Sequence, residues 1–257
     1  MIDDRSSLLH KPWIKRFPAG QTQSSSPRPP EQTATVIFPH AGGAAAAYRK
    51  FAIALSGRGV DTYIVKYPRR GDRLADPAPD TIADLAAEML EAADWSRLGP
   101  LRLFGHCMGA LVAFEFTRLA EKHAVPVREL WASASQAPST VAGSRPAPTT
   151  DDELLADIVD LGGTDARLLD DDDFLGLLLP AVRADYQAFN RYSCDRNVRI
   201  GAEIHAVGGR SDHRVDADLL RQWEIHTSSA FTFTLFDGGH FYVDQQIADV
   251  AELVSCT

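Results

Sequence analysis

The run Leu101-Arg-Leu-Phe-Gly-His-Cys-Met-Gly109, followed by a helical stretch from Leu111 to Lys122, constrains the fold more than any other part of this 257-residue chain. A strand passes through a Gly-x-Cys-x-Gly turn directly into a helix. The two glycines remove side chains where so tight a turn brings strand and helix together. Around this unit short β-rich runs alternate with longer helical ones. Thr33–Phe38, Asp61–Lys66, Val127–Ala134, Glu203–Val207 and Phe231–Phe236 read as strands, and Tyr48–Ser56 as a helix. Ile82, Leu85, Ala86, Met89, Leu90 and Ala93 recur at helical spacing behind Thr81-x-x-Asp84, which resembles a capping box. Such alternation predicts right-handed crossovers and an α/β fold, with a mostly parallel sheet covered by helices on both faces.

Two regions depart from that rhythm. Residues 1–33 read as an N-terminal arm and linker: Pro18–Thr33 is rich in Pro, Ser and Gln, and Trp13-Ile-Lys-Arg-Phe17 reads as a short segment that docks back on the body. The α/β domain then spans 34–257. Within it, residues of about 149–193 look helical throughout and form an insertion expected to cap the C-terminal edge of the sheet, where open α/β sheets place their sites. The acidic run Asp170–Asp173 inside it reads as a solvated turn rather than a metal site, because four adjacent carboxylates cannot all face one ion on a helix.

Charge and cysteine usage narrow the function classes. Lys and Arg number 26 against 35 Asp and Glu, a formal charge of −9 that has the wrong sign for a general phosphate-backbone binder, so no nucleic acid partner is expected. Cys107, Cys194 and Cys256 are too few and too widely spaced for a zinc module or a disulfide framework, which suits a reducing, cytoplasmic setting. Residues 1–10 lack the apolar stretch of a secretory signal, and no window approaches the roughly 18 apolar residues of a membrane span, so no membrane association is expected.

The Gly-x-Cys-x-Gly turn has the pattern of a nucleophile elbow with Cys107 in the nucleophile position, at a helix N-terminus whose dipole favours a thiolate. A buried structural cysteine is the competing interpretation. An elbow needs an acid and a base, in that chain order, on loops after later strands. Asp212, in Gly208-Gly-Arg-Ser-Asp-His-Arg-Val215, and His240, in Asp237-Gly-Gly-His-Phe241, meet that requirement and complete a candidate triad with Cys107. Asp216 and Asp237 compete as acids, and His106, His205 and His213 as bases; His106 is expected to point away from its neighbour and to pack. Oxyanion donors are expected at the backbone N–H of Met108 and of Ala41, the latter in the Gly-rich turn Phe38-Pro-His-Ala-Gly-Gly43.

Five motifs together, Phe38-Pro-His-Ala-Gly-Gly43, Tyr67-Pro-Arg-Arg-Gly-Asp-Arg73, Phe104-Gly-His-Cys-Met-Gly-Ala110, Gly209-Arg-Ser-Asp212 and Gly238-Gly-His240, give the chain from about Trp13 onward a resemblance to the type II thioesterases of nonribosomal peptide and polyketide assembly lines. The resemblance implies an α/β-hydrolase fold with a mobile helical lid. It also implies removal of acyl or peptidyl groups from the phosphopantetheine arm of a carrier protein, with no cofactor of the enzyme's own and no metal. Carried over by motif, Cys107 is the nucleophile, His240 the base, Asp212 the acid, and Ala41 and Met108 the oxyanion donors.

Two positions depart from the family pattern. Arg69 stands where the family usually has Gly, and Cys107 where it usually has Ser. An acyl-Cys enzyme is itself a thioester and a good acyl donor to amines, thiols or carbanions. Hydrolysis therefore shares the field with acyl transfer or cyclisation by the same triad, with a serine enzyme slowed by substitution, and with a non-catalytic acyl-binding protein. Because carrier proteins are acidic, Arg69, Arg70, Arg73, Arg183, Arg210 and Arg214 are the candidate cations for docking one.

Overall fold

Seven strands form a single sheet: β1 (Ile14–Phe17), β2 (Ala34–Phe38), β3 (Thr62–Val65), β4 (Leu101–His106), β5 (Val127–Ser133), β6 (Glu203–Gly209) and β7 (Phe231–Phe236), in the order β1-β3-β2-β4-β5-β6-β7. All neighbours pair parallel except β1, which runs antiparallel to β3 with Ile14 opposite Val65 and Phe17 opposite Thr62. The structure is a computed structural model and describes residues 13–19, 33–164 and 166–256. The arm before Trp13 and most of the Pro- and Ser-rich linker lie outside the described residues.

Helices α1 (Arg49–Gly57), α2 (Ile82–Glu91), α3 (Met108–Lys122), α4 (Asp151–Leu161), α5 (Asp172–Asn190), α6 (Ala217–Arg221), α7 (Tyr242–Gln245) and α8 (Ile247–Ser255) complete the fold. The period-2 geometry of β2 explains the two layers. Val36 and Phe38 point into one core with α2 and α3, while Ile37 points into the other with Phe51 and Leu55 of α1 and Val250 and Val254 of α8. α3 is apolar on nearly every side because it is wedged between sheet and α2, and Leu111, Phe114 and Phe116 are wholly buried. Each such side chain contributes roughly 2–3 kcal/mol of burial free energy. The Thr81 hydroxyl accepts a hydrogen bond from the Asp84 amide at 3.0 Å, so the capping signal marks the start of α2.

Between β5 and β6 the chain leaves the sheet to form α4 and α5. α4 ends at Gly162, which adopts φ 72°, the left-handed conformation that glycine takes at helix C-termini. Asp171 caps α5 by accepting from the Asp173 and Phe174 amides, at 3.0 and 3.1 Å. The acidic run is thus a helix start, and among the described residues no cluster of ligating side chains could hold a metal ion. Leu154 and Ile158 of α4 and Val182 of α5 are buried against Leu169, Leu178, Leu179 and Tyr186, so the insertion has a small core of its own, while Val159, Leu168 and Leu177 stay exposed. No described helix is long and apolar enough to cross a membrane.

Candidate active site

Cys107 sits between β4 and α3 with φ 54° and ψ −123°, an uncommon conformation for a residue with a side chain. Close packing enforces the turn. A Cβ on Gly105 would overlap Ala110, and one on Gly109 would overlap the carbonyl oxygens of Phe38 and Pro39, so no other residue fits either place. The Cys107 amide donates to Ser133 O at 2.8 Å and the Ala110 amide to Cys107 O at 3.0 Å, which ties the turn to β5 and starts the helix.

Asp212 and His240 lie after the C-terminal ends of β6 and β7, 28 residues apart in sequence, and His240 Nδ1 is 2.9 Å from Asp212 Oδ2. The other carboxylate oxygen of Asp212 accepts from the Arg214 and Val215 amides at 2.9 and 3.2 Å. Both side chains are buried, and burial is the largest influence on each. For Asp212 the His240 contact and the two amides outweigh it, holding the carboxyl below its ordinary range. Burial alone would push the His240 imidazole down, yet Cys107 first and Asp212 next overcome it and raise the group to about 10. His240 Nε2 is buried without a hydrogen-bond partner of good geometry, leaving it free toward the Cys107 side of the site.

The competing residues have other employment. Asp216 caps α6, accepting from the Asp218 and Leu219 amides, and exposed Asp237 faces Arg210 at 3.2 Å. His205 stacks on Trp131 with ring centroids 4.3 Å apart, and exposed His213 pairs with Asp160 at 2.9 Å. His106 is buried with Nδ1 2.9 Å from Ser133 Oγ, which in turn lies 2.8 Å from Tyr242 OH; its ring packs 5.4 Å from that of His240. Burial, then the neighbouring His240 and His40, hold His106 well below the ordinary histidine range. It is a neutral wall behind the base.

Ala41, Cys107, Met108 and His240 all line one cavity of about 980 Å³, roofed by α4 and α5. Much of its lining is polar: Glu153, Asp157, Asp160, Tyr186, Asn190, Gln136, Arg145 and Arg214 contribute. The Ala41 turn is held from both sides. Tyr48 OH accepts from the His40 amide at 3.2 Å, and the Gly42 amide donates to Asp185 Oδ2 at 2.7 Å. Neither Tyr48 nor Asp185 was singled out from sequence. The usable signal for Asp185 was its place beside Ala181, Val182 and Ala188 on the buried face of α5, where a lone acid needs a partner.

The arginine patch does not form as expected. Arg70 is buried in an ion pair with Asp185 at 2.8 Å, and Arg73 is buried over the Trp13 ring, 3.8 Å from its centroid, with Asp76 at 2.7 Å. Arg214 joins Asp157 and Asp160, Arg210 joins Asp237, and Arg183 meets Asp151. Arg69 is exposed and adopts φ 62°, the left-handed region that favours glycine.

A parallel sheet whose elbow turn, histidine and aspartate meet at the C-terminal edge defines an α/β-hydrolase. The thioesterase domain family model matches residues 34–256, and the chain belongs to that family. It is 57% identical over 254 residues to the phenyloxazoline synthase MbtB of Mycobacterium tuberculosis, a match that covers 99% of this chain and 17% of that protein, so the chain spans about a sixth of that relative's length. To the thioesterase PikA5 of Streptomyces venezuelae it is 35% identical, over 95% of this chain and 84% of PikA5. The type II thioesterase BorB from the borrelidin biosynthetic cluster superposes with a TM-score of 0.78 at 33% identity, covering 95% of this chain and 96% of BorB. The chain is thus a relative of the type II thioesterases of nonribosomal peptide and polyketide biosynthesis.

Proposed function

We infer that the protein releases acyl or peptidyl groups held as phosphopantetheine thioesters on an assembly-line carrier protein, through an acyl-Cys107 intermediate. One observation carries the reading: Cys107 occupies the strained elbow turn beside a histidine held by Asp212, with that histidine's Nε2 unpartnered. His240 takes the Cys107 thiol proton and the thiolate attacks the thioester carbonyl. The N–H groups of Ala41 and Met108 hold the resulting oxyanion. The pantetheine thiol leaves with the proton from His240. His240 then deprotonates a water that attacks the acyl-Cys carbonyl, and the free acid departs as the thiol regains its proton. Asp212 holds the imidazole tautomer throughout.

The cavity sets carboxylates, amides and Arg214 among apolar walls that include Leu161, Phe189 and Val215, a mixed lining that suits a peptidyl group with both polar and apolar parts. That agrees in kind with the name of MbtB, a phenyloxazoline synthase. A second reading rests on the sulfur nucleophile itself, since an acyl-Cys thioester transfers readily to an amine or thiol acceptor. Intact-mass spectrometry of the protein mixed with an acyl-carrier protein tests both. Transient acylation of Cys107 with free acid released supports hydrolysis, and an adduct discharged only by an added amine or thiol supports transfer. A covalent adduct formed by Cys107→Ala would overturn the assignment.

A further inference from the structure

The geometry points to Asp185 as a positioning residue for the oxyanion hole: helix α5 of the insertion, and not the sheet alone, sets the place of the Ala41 amide. This rests on the reading of Ala41 as an oxyanion donor and of Cys107 as the nucleophile. Asp185 is 5% exposed, its Oδ2 accepts from the Gly42 amide at 2.7 Å, and both its oxygens meet the Arg70 guanidinium at 2.8 Å. Arg70 is equally enclosed; its Nη1 also donates to Gly43 O at 3.3 Å and its Nε to Pro68 O at 3.0 Å. One carboxylate and one guanidinium therefore grip the main chain of the turn just beyond Ala41.

The remaining contacts close the bracket. The Gly43 amide donates to His40 O at 2.9 Å, folding the turn back on itself, and Tyr48 OH takes the His40 amide. Gly42 adopts φ 75°, and a Cβ there would strike Val182 of the same helix, so α5 packs directly onto the turn as well as bonding to it. A peptide fixed by hydrogen bonds one residue before and one residue after Ala41 has little freedom to turn its N–H away from the reacting carbonyl. Oxyanion stabilisation depends on donors being in place before charge develops, and loss of one such donor typically costs about 10²–10³-fold in turnover. The carboxylate is suited to the task because an ionised acceptor makes a stronger hydrogen bond to an amide than a neutral one. α4 is attached by different means, packing on α5 through Leu154 and Ile158 and reaching the Asp212 loop through partly exposed ion pairs to Arg214, so the two helices of the insertion are not equivalent. α5 belongs to the catalytic frame.

Two paired variants isolate the Gly42 contact from the ion pair. Arg70→Met with Asp185→Asn removes both charges and keeps an amide oxygen that accepts from Gly42; Arg70→Met with Asp185→Leu removes both charges and the acceptor. The expected result is a kcat at least tenfold lower for the Leu pair than for the Asn pair with acyl-pantetheine substrate, at KM values within threefold. Alkylation of Cys107 by iodoacetamide, which needs the thiol and no oxyanion hole, is expected to be equal in the two. Equal kcat values, or alkylation falling in step with kcat, would overturn the inference. Should the Leu pair fail to fold, Asp185→Asn and Asp185→Ala as single changes make the same comparison of acceptor present against acceptor absent. Cys107→Ala serves as the control: turnover at the wild-type rate in that variant would remove the underlying reading itself, whereas an inactive control beside equal paired variants removes only the role of Asp185.

Discussion

Arg214 reaches across the mouth of the cavity to Asp157 of α4, Nη2 to Oδ1, at 2.6 Å. Arg214 stands two residues from Asp212, whose carboxylate accepts its amide, so the helix that roofs the cavity is fastened to the loop that carries the triad acid. The same guanidinium meets Asp160 at 2.7 Å, His213 meets Asp160 at 2.9 Å, and Tyr186 OH donates to Asp157 at 2.6 Å.

These pairs are partly exposed and respond to salt, so the fastening is weak compared with a packed core. Arg214→Ala is expected to lower the Tm by less than about 4 °C. Hydrogen exchange is expected to speed up selectively in residues 151–161. Exchange–mass spectrometry checks this, and unchanged protection of α4 would show that the ion pairs do not hold it.

The pH dependence has a definite sign on each side. His240 is raised to about 10, so its contribution to stability is complete below the ordinary histidine pKa near 6.5 and is lost as the pH rises from there through 10. Asp212→Asn removes one of the groups that raise it, and the alkaline fall in Tm is expected to move to lower pH. His106 shifts the other way: its neutral ring is favoured in the folded state, so stability falls below pH 6.5 as the unfolded chain takes up the proton. That slope approaches about 1.4 kcal/mol per pH unit for one proton, and His106→Gln is expected to flatten it in denaturant titrations between pH 4 and 6.5.

Changing sulfur to oxygen at the elbow alters the fate of the intermediate more than its formation. Cys107→Ser is expected to give an acyl ester that partitions to water, with the yield of amide from an added amine falling at least tenfold relative to the Cys protein. Product analysis at a fixed amine concentration checks the ratio. An unchanged ratio would mean that acceptor access, and not the leaving atom, decides the outcome.

Arg69, exposed and outside the triad, supplies a stability test. Its φ of 62° costs a side-chain-bearing residue roughly 1 kcal/mol, which glycine avoids. Arg69→Gly is expected to be neutral or stabilising by up to about 1 kcal/mol and Arg69→Val destabilising, as read by urea midpoints at constant m.

The Gly-flanked cysteine, Gly209-Arg-Ser-Asp212 and Gly238-Gly-His240 were legible in the sequence because each is local: backbone conformation and side chain occupy one short segment. Strand–helix alternation was legible for the same reason, down to the Thr81 cap. The Arg70–Asp185 pair was not, since its members lie 115 residues apart and each looks like an ordinary solvated charge until the insertion folds over the turn. Arg73 was misread in the same way, its guanidinium sitting over the Trp13 ring and paired with Asp76 instead of facing a partner protein. β1 escaped notice as a strand because four residues with Lys15 and Arg16 among them carry no alternation; its pairing with β3 decides its form.

That added strand has a practical reach. The family match begins at residue 34, but a protein cut there would leave Thr62–Val65 as an open edge, with main-chain donors and acceptors that Ile14–Phe17 now satisfy. Unpaired edges invite pairing with other molecules. Trimming the chain to its family boundary would therefore trade a covered edge for one that recruits copies of itself, and the five residues Trp13–Phe17 do as much for colloidal behaviour as for folding.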